Sequence, residues 1–247
     1  MKGDHNGLYQ TSYKYVLQTS TIEAIRQSIQ SLQDYLESGN HTDSLHSRTY
    51  RERQNRKAIE WATQNGKQII AETDFLERWQ RGGNIRGGEN LVYFDLDADD
   101  LAWAIKMNEL TYHQGNMAAF ADRLVKSSEY FPDTTLEVIG MVTTRSGVKP
   151  LLRQLFVVTN PETLAFPVHI RTELEDRGFT LLDPDNEIWL SPDRSYYFSD
   201  PGQNNVLVDE NGELAFIDVI FRKVTPDQFR NDYPGLARLV SGIETQG

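Results

Sequence analysis

Apolar residues near the start of the chain recur at helical spacing. Between Ser20 and Asn40 they are separated by alternating steps of three and four, at Ile22, Ile25, Ile29, Leu32 and Leu36. This spacing predicts a helix with one apolar face. Ser20 and Glu23 have the spacing of a capping box, and the pair Gly39-Asn40 predicts where the helix ends. The stretches "RERQNRKAIEWATQNGK" and "DFLERWQ" predict two more helices.

From residue 82 the pattern changes to short apolar runs typical of strands. Residues 91–94 and 101–107 predict two strands, and "NMAAFADRLVKSSEYF" predicts a helix capped by Asn116. Two more strands are predicted around the turn Ser146-Gly147. The order is therefore strand, strand, helix, strand, strand, which favours an α+β fold with an antiparallel sheet.

After Thr159 the sequence predicts a helix containing Pro167 and then short strands with many turns. "NNVLVDENGELAFIDV" has two apolar runs around Asn211-Gly212, which predicts a β-hairpin. "TPDQFRNDYPGLARLVSGI" predicts one or two terminal helices.

Composition narrows the class of protein. The chain has 247 residues, 38% hydrophobic and 25% charged, which is typical of a globular protein. Its net charge of −11 opposes binding to nucleic-acid phosphates. The lack of cysteine excludes disulfides and thiolate metal sites. The sequence contains no apolar run of about 18 residues, so we expect no membrane-spanning helix. The polar N-terminus is unlike a signal peptide, and we therefore expect a cytoplasmic protein.

Three oxygen-bearing side chains lie near the base of the predicted hairpin. Asp200, Asn205 and Asp218 have the spacing D-x4-N-x12-D. The hairpin brings Asn205 and Asp218 to the same end, where they could bind a Mg²⁺ ion that carries a nucleotide. Asp200 could accept a proton from an attacking hydroxyl. The plainer interpretation is that these residues only form turns, because Asp and Asn are common there.

A lysine within an apolar strand strengthens the functional interpretation. Lys106 lies in "WAIKMN", after a hairpin that begins with glycines. Lysine is seldom buried without a partner, and we expect an ion pair with Asp122 rather than with Glu129 on the following helix. Gly87 and Gly88 could offer main-chain N–H groups to phosphate, although an ordinary loop between subdomains remains the alternative.

The order of several segments resembles that of the protein-kinase-like fold. The segments are, in chain order, "AIK", a helix, "LLRQLFVV", "SDPGQNNVLV" and "FID". Asp200 and Asn205 match part of the catalytic loop, but Phe198 stands where histidine is usual. Asp218 matches the aspartate of D-F-G and is followed by Val219-Ile220 rather than Phe-Gly.

A closer resemblance is to the kinases found in polyvalent proteins of phages and conjugative elements. "AIEWATQNG", "GGENLVYF", "WAIKMNEL", "SSEYFP", "LLRQLFV", "RGF" and the hairpin are similar to that family's landmarks. The likeness extends from Lys57 to Lys223.

This resemblance implies a small two-lobed kinase-like fold. We expect a helical N-terminal subdomain over residues 1–81, a small lobe over 82–158 and a short large lobe over 159–247, with the N-terminal helices adding core to the large lobe. ATP would lie in the cleft, with adenine near residues 154–157, so that Gln154 and Phe156 would join Lys106, Asp122, Gly87 and Gly88 in binding it.

The function implied is Mg-ATP-dependent phosphoryl transfer to a hydroxyl acceptor, either a protein or a small molecule. Asp200 would orient the acceptor, and Asn205 and Asp218 would hold Mg²⁺. One alternative is a pseudokinase that binds a nucleotide or a partner without catalysis. Another is a non-enzymatic module of a mobile element whose acidic surface binds a basic partner.

Overall fold

The computed structural model describes residues 18–38, 48–98, 101–113, 115–159, 163–199, 201–202 and 205–225. The described α-helices are Thr19–Glu37 (α1), Arg48–Gln64 (α2), Glu72–Arg81 (α3), Met117–Tyr130 (α4) and Pro167–Asp176 (α5). In this part of the chain, no helix combines the length and the apolar character needed to cross a membrane. The predicted terminal helices fall largely on residues 226–247, outside the described residues.

Six strands form the larger sheet, in the order β1-β5-β6-β4-β3-β2. They are Gln68–Ala71 (β1), Ile85–Arg86 (β2), Asn90–Leu96 (β3), Ala102–Asn108 (β4), Leu136–Thr144 (β5) and Gly147–Leu155 (β6). The pairing of β1 with β5 is parallel, and the other pairings are antiparallel. The predicted series of two strands, a helix and two strands corresponds to β3, β4, α4, β5 and β6, and the predicted α+β class is confirmed.

A second, four-stranded antiparallel sheet has the order β12-β9-β8-β7, and a separate hairpin lies beside it. The strands are Thr180–Asp183 (β7), Ile188–Leu190 (β8), Tyr196–Ser199 (β9), Val206–Val208 (β10), Leu214–Phe216 (β11) and Ile220–Lys223 (β12). In the hairpin, Val206 is opposite Phe216 and Val208 is opposite Leu214. The predicted hairpin is therefore confirmed.

The helix α4 begins as the sequence predicts. The side chain of Asn116 accepts a hydrogen bond from the amide of Ala119 at 3.1 Å, as an N-cap residue does. The start of α1 differs from its prediction, because the carbonyl of Gln18 already accepts bonds from the amides of Thr21 and Ile22. Ser20 therefore lies inside α1 and does not cap it.

The N-terminal helices pack against α4 and the larger sheet. The apolar face of α1 shares one core with α2, α4 and β5, in which Ile29, Leu32 and Ala121 are each 0% exposed. No described residue of α1 or α2 falls in the core cluster of the second sheet, and the expectation that these helices add core to a large lobe stays a prediction. The apolar stripe of α1 packs on apolar residues of α4, so the two helices bury each other's apolar faces.

The first 81 residues are not wholly helical, because they also contain β1. This strand is short and mostly exposed, so it lacks the alternation that sequence analysis detects. Gly140 lets β1 approach β5 closely, since a Cβ atom at that position would collide with the carbonyl oxygen of Gln68. The N-terminal segment thus extends the larger sheet.

The second core is rich in aromatic side chains. Phe131, at the end of α4, stacks on Phe216 of β11 with ring centroids 4.6 Å apart. Phe198 of β9 and Phe221 of β12 lie in the same cluster, 5.2 Å apart. The end of α4 is thereby packed against both the second sheet and the hairpin.

The α1 interface generates a test of the fold. Leu32→Ala removes a side chain that is 0% exposed and should lower the free energy of unfolding by about 2–5 kcal/mol. Gln27→Ala on the exposed side of the same helix should change it by less than about 0.5 kcal/mol. Urea denaturation measures both values. Equal effects of the two substitutions would contradict the packing of α1.

Candidate functional site

An ion pair between a buried lysine and a partly buried aspartate joins the larger sheet to the β10–β11 hairpin. Lys106, on β4, is 3% exposed, and its Nζ lies 2.9 Å from Oδ1 of Asp218. Asp218 follows β11, so the pair connects the larger sheet to the hairpin. A lysine inside an apolar strand needs such a partner, because an unpaired buried charge is costly.

The predicted ion pair between Lys106 and Asp122 is wrong. The carboxylate of Asp122 accepts hydrogen bonds from the Tyr196 hydroxyl at 2.7 and 2.8 Å, and from the Gln33 side chain at 3.2 Å. The alternative partner, Glu129, pairs with Lys126 at 2.8 Å. Asp122 therefore links α4 to α1 and β9, and nothing in its contacts supports the predicted role in nucleotide binding.

Asp218 is held ionised by its neighbours. Burial would raise the pKa of its carboxyl, but the charge and hydrogen bond of Lys106, together with the charge of Arg123, hold that pKa below its usual value. Oδ1 also accepts from Asn90 at 3.4 Å, and Asn90 in turn accepts from Asn108 at 2.9 Å. Its φ of +54° is uncommon for a residue other than glycine, and such conformations cluster at functional sites.

The hairpin brings the two predicted metal ligands to one end. The amide of Ile217 donates to the carbonyl of Asn205 at 2.7 Å, so Asn205 lies opposite the residue that precedes Asp218. Oδ2 of Asp218 accepts no hydrogen bond from the described residues and could contact a cation. Nowhere in the described ranges do three or more acidic or histidine side chains form a metal site. A Mg²⁺ ion here would therefore need oxygen ligands from a nucleotide or water.

The predicted catalytic residue, Asp200, lies outside the described residues. The strand β9 ends at Ser199, directly before it. Asp200 remains a prediction from sequence.

The glycine-rich segment forms a tight hairpin between β2 and β3. The amide of Gly87 donates to the carbonyl of Asn90 at 2.8 Å. That N–H group is therefore used within the hairpin in this structure, and its predicted contact with phosphate stays a prediction. Gly88 is exposed at the tip, where an added Cβ would lie 3.0 Å from Oη of Tyr112. The predicted contact of Gly88 with phosphate likewise stays a prediction.

The predicted hinge residues have structural contacts of their own. The Gln154 side chain is buried and donates to the carbonyl of Thr134 at 2.5 Å. Phe156 packs edge-on against Phe94 with ring centroids 5.2 Å apart, and its amide donates to the carbonyl of Ala102. These two roles remain predictions.

Sequence analysis missed a buried charged cluster beside Asp218. Nη1 of Arg123, on α4, lies 2.6 Å from Oε2 of Glu89 at the tip of the glycine hairpin. Nε of Arg123 donates to the carbonyl of Val219 at 3.2 Å. His113 lies 3.3 Å from Nη1; burial first, and then the charges of Arg123 and Arg222, lower its pKa to about 3. A signal was available, because Arg123 falls on the apolar face of α4.

One known protein family is similar to this chain over most of its length. The sequence model of a family described as serine/threonine/tyrosine kinases found in polyvalent proteins matches residues 51–225. The chain belongs to this family. The resemblance recognised between Lys57 and Lys223 is thereby confirmed, and the match begins within α2, so that α1 lies before it.

Two further comparisons add little to the family assignment. No curated protein matches the chain. Among solved structures, an apo pseudokinase is similar over 71% of this chain and 71% of its own, with 8% identity and a TM-score of 0.31.

The Lys106–Asp218 pair can be tested without any ligand. Lys106→Met should raise the pKa of Asp218, because burial then acts without the neighbouring ammonium. It should also lower the free energy of unfolding by about 1–3 kcal/mol, since a partly buried acceptor loses its donor. Carboxyl ¹³C NMR and urea denaturation measure the two effects. Lys223→Met, at an exposed position, is the matched control and should leave the pKa of Asp218 unchanged.

The pH dependence of this stabilisation has a definite sign. The folded-state pKa of Asp218 lies below the usual 3.8, so the contribution of the pair is fully present above that value. It is lost as the pH falls through the folded-state pKa. The stability difference between wild type and Lys106→Met should therefore shrink on acidification below about pH 4. A difference that stays constant to pH 2 would contradict the assigned pair.

Proposed function

We propose that the chain is a Mg-ATP-dependent phosphotransferase that acts on a hydroxyl acceptor. The observation that carries this proposal is the ion pair of buried Lys106 with partly buried Asp218, beside the glycine hairpin and at the end of the β10–β11 hairpin. Membership of a kinase family supports it, because phosphoryl transfer from ATP is the activity that the family description names.

In this proposal, Mg-ATP supplies the phosphoryl group and the protein supplies its position. The Lys106 ammonium contacts phosphate oxygens and keeps Asp218 ionised at neutral pH. Asp218 and Asn205 hold the metal, and Gly88 lies at the exposed tip of the glycine hairpin. Phosphoryl transfer depends chiefly on such positioning and on electrostatic stabilisation.

Asp200 is proposed to orient the acceptor hydroxyl and to receive its proton. The strand that leads to it is well anchored: Tyr196 donates to Asp122, and Phe198 is 0% exposed in the aromatic core. Burial of Tyr196 and its bond to Asp122 raise the pKa of the phenol, so it remains a donor at neutral pH. Packing therefore takes the place of the hydrogen bond that a histidine would supply.

The pseudokinase is the second candidate, and Phe198 is the observation that favours it. This side chain occupies the position where the resemblance expects histidine, and its surroundings are Phe131, Phe179 and Phe221. A protein that binds Mg-nucleotide but shows no autophosphorylation, ATPase activity or transfer to any acceptor would be a pseudokinase.

The acceptor and the lobe boundaries are also proposals. The family description points to hydroxyls of serine, threonine or tyrosine, so a protein acceptor is the first to test, and small molecules follow. We propose that the large lobe begins near residue 159. The small lobe then includes residues 82–158, with the N-terminal helices packed on them.

Binding of Mg-ADP should stabilise the fold. At a ligand concentration 100 times Kd the free energy of unfolding should rise by about 2.7 kcal/mol, which corresponds to about 5–10 °C in melting temperature. Asp218→Asn should remove the part of this shift that depends on Mg²⁺, and Asp185→Asn at an exposed turn should retain it. No shift in the wild type at millimolar Mg-ADP would contradict the nucleotide site.

Asp200→Ala should separate catalysis from binding. Phosphoryl transfer should fall by about 10²- to 10⁴-fold, because the acceptor loses its base and its orienting group. Affinity for Mg-ADP should change little, since Asn205 and Asp218 remain. ADP release with a panel of acceptors measures the rate, and calorimetry measures the affinity. An unchanged rate in Asp200→Ala would show that the catalytic assignment is wrong.

A further inference from the structure

The cation on α4 contacts segments on both sides of Asp218. One segment is the glycine hairpin, where Glu89 accepts from Arg123 at 2.6 Å and directly precedes Asn90, a donor to Asp218. The other is the residue after Asp218, because Nε of Arg123 donates to the carbonyl of Val219 at 3.2 Å. Arg123 thus fixes the immediate neighbours of the proposed metal ligand without touching its carboxylate.

Burial of the Arg123–Glu89 ion pair costs desolvation free energy, and the pair has a specific geometry. Arg123 is 3% exposed and Glu89 is 5% exposed. Buried ion pairs add little net stability compared with apolar side chains, so packing alone is a weak reason for one at this place. The second oxygen of Glu89, Oε1, is buried and accepts no hydrogen bond within the described residues; the Nε2 atom of His113 is 3.9 Å away.

Two donors of one guanidinium are used in two directions. Nη1 reaches the carboxylate of Glu89, and Nε reaches the carbonyl of Val219. A lysine has a single terminal nitrogen on a flexible stem and does not reproduce the planar fork of arginine. His113 is neutral at physiological pH, so its ring nitrogen can accept from Nη1 without adding charge.

We propose that Arg123 is a positioning residue that holds Asp218 and the glycine hairpin in the geometry that binds Mg-nucleotide. The inference rests on the proposed phosphotransferase function for its consequence, but its structural part concerns the protein without ligand. The helix α4 supplies a cation to the glycine hairpin, whereas the sequence led us to expect a carboxylate on α4 for Lys106.

Arg123→Lys is the informative substitution, because it keeps the charge and removes the fork. Arg177→Lys is the matched control: Arg177 also binds one carboxylate, Glu173 at 2.7 Å, and one main-chain carbonyl, that of Tyr130 at 3.1 Å. Arg177 follows α5 and makes none of the contacts around Asp218 described above. If both variants lose a similar amount of melting temperature, a change that occurs only in Arg123→Lys reflects positioning and not general destabilisation.

The first measurement needs no nucleotide. Hydrogen–deuterium exchange at residues 87–90 and 219–221 should become faster in Arg123→Lys and stay at the wild-type rate in Arg177→Lys. Glu89→Gln, which removes the negative charge and preserves shape, should accelerate exchange in the same two segments. Unchanged exchange in Arg123→Lys would overturn the positioning role.

The second measurement uses ADP with and without Mg²⁺. In Arg123→Lys the gain in ADP affinity produced by Mg²⁺ should fall by about 10- to 100-fold, as for residues that support metal ligands, and affinity without Mg²⁺ should change little. Retention of the full gain would overturn the proposal. If wild type binds no Mg-ADP while exchange responds as expected, the phosphotransferase proposal fails and the positioning of Asp218 by Arg123 stands.

Discussion

The burial of one ammonium group is the constraint on which the rest of the structure depends. Lys106 lies on a central strand of the larger sheet with 3% of its surface exposed. Its carboxylate partner comes 112 residues later in the chain. Because an unpaired charge in that position would cost several kcal/mol, the sheet and the β10–β11 hairpin must come together for the fold to be stable. The same contact therefore completes the core and assembles the candidate site.

Two consecutive side chains of α4 bind different segments around the candidate site. Asp122 holds β9 through the hydroxyl of Tyr196, and Arg123 holds Val219 and Glu89. Neighbouring residues of a helix point about 100° apart, which is why they reach different segments. On the far side, Arg26 of α1 donates to the carbonyl of Ser128 at 2.8 Å and fixes the end of the helix. A small movement of α4 would therefore shift its contacts with β9, with the segments of Glu89 and Val219, and with α1.

Features encoded by neighbouring residues were predictable from sequence. The cap at Asn116, the turn at Asn211-Gly212 and the alternation of strands around α4 depend on local backbone chemistry. The strand β1 was not predictable in this way, because its partner β5 is about 70 residues away and few of its side chains are buried.

The partner of Lys106 shows more clearly what a single sequence does not predict. Periodicity identified α4 and placed Asp122 on it, but the choice between Asp122 and Asp218 depends on the rotation of that helix against two sheets. The same rotation brings Arg123 into the interior, where Glu89 and Val219 satisfy it. A single sequence carries no direct signal for such a rotation. The family resemblance suggested a pair between Lys106 and a carboxylate on α4, and the structure instead pairs Lys106 with Asp218, which follows β11.

The position of α1 has a consequence for how this protein is handled. The family match begins at residue 51, after α1 has ended, yet α1 covers the outer apolar face of α4. A fragment cut at the family boundary would keep every candidate site residue and still present Phe120, Leu124 and their neighbours to water. Exposed apolar patches of that kind drive association and aggregation. We therefore expect a fragment without α1 to associate more readily than the chain that includes it.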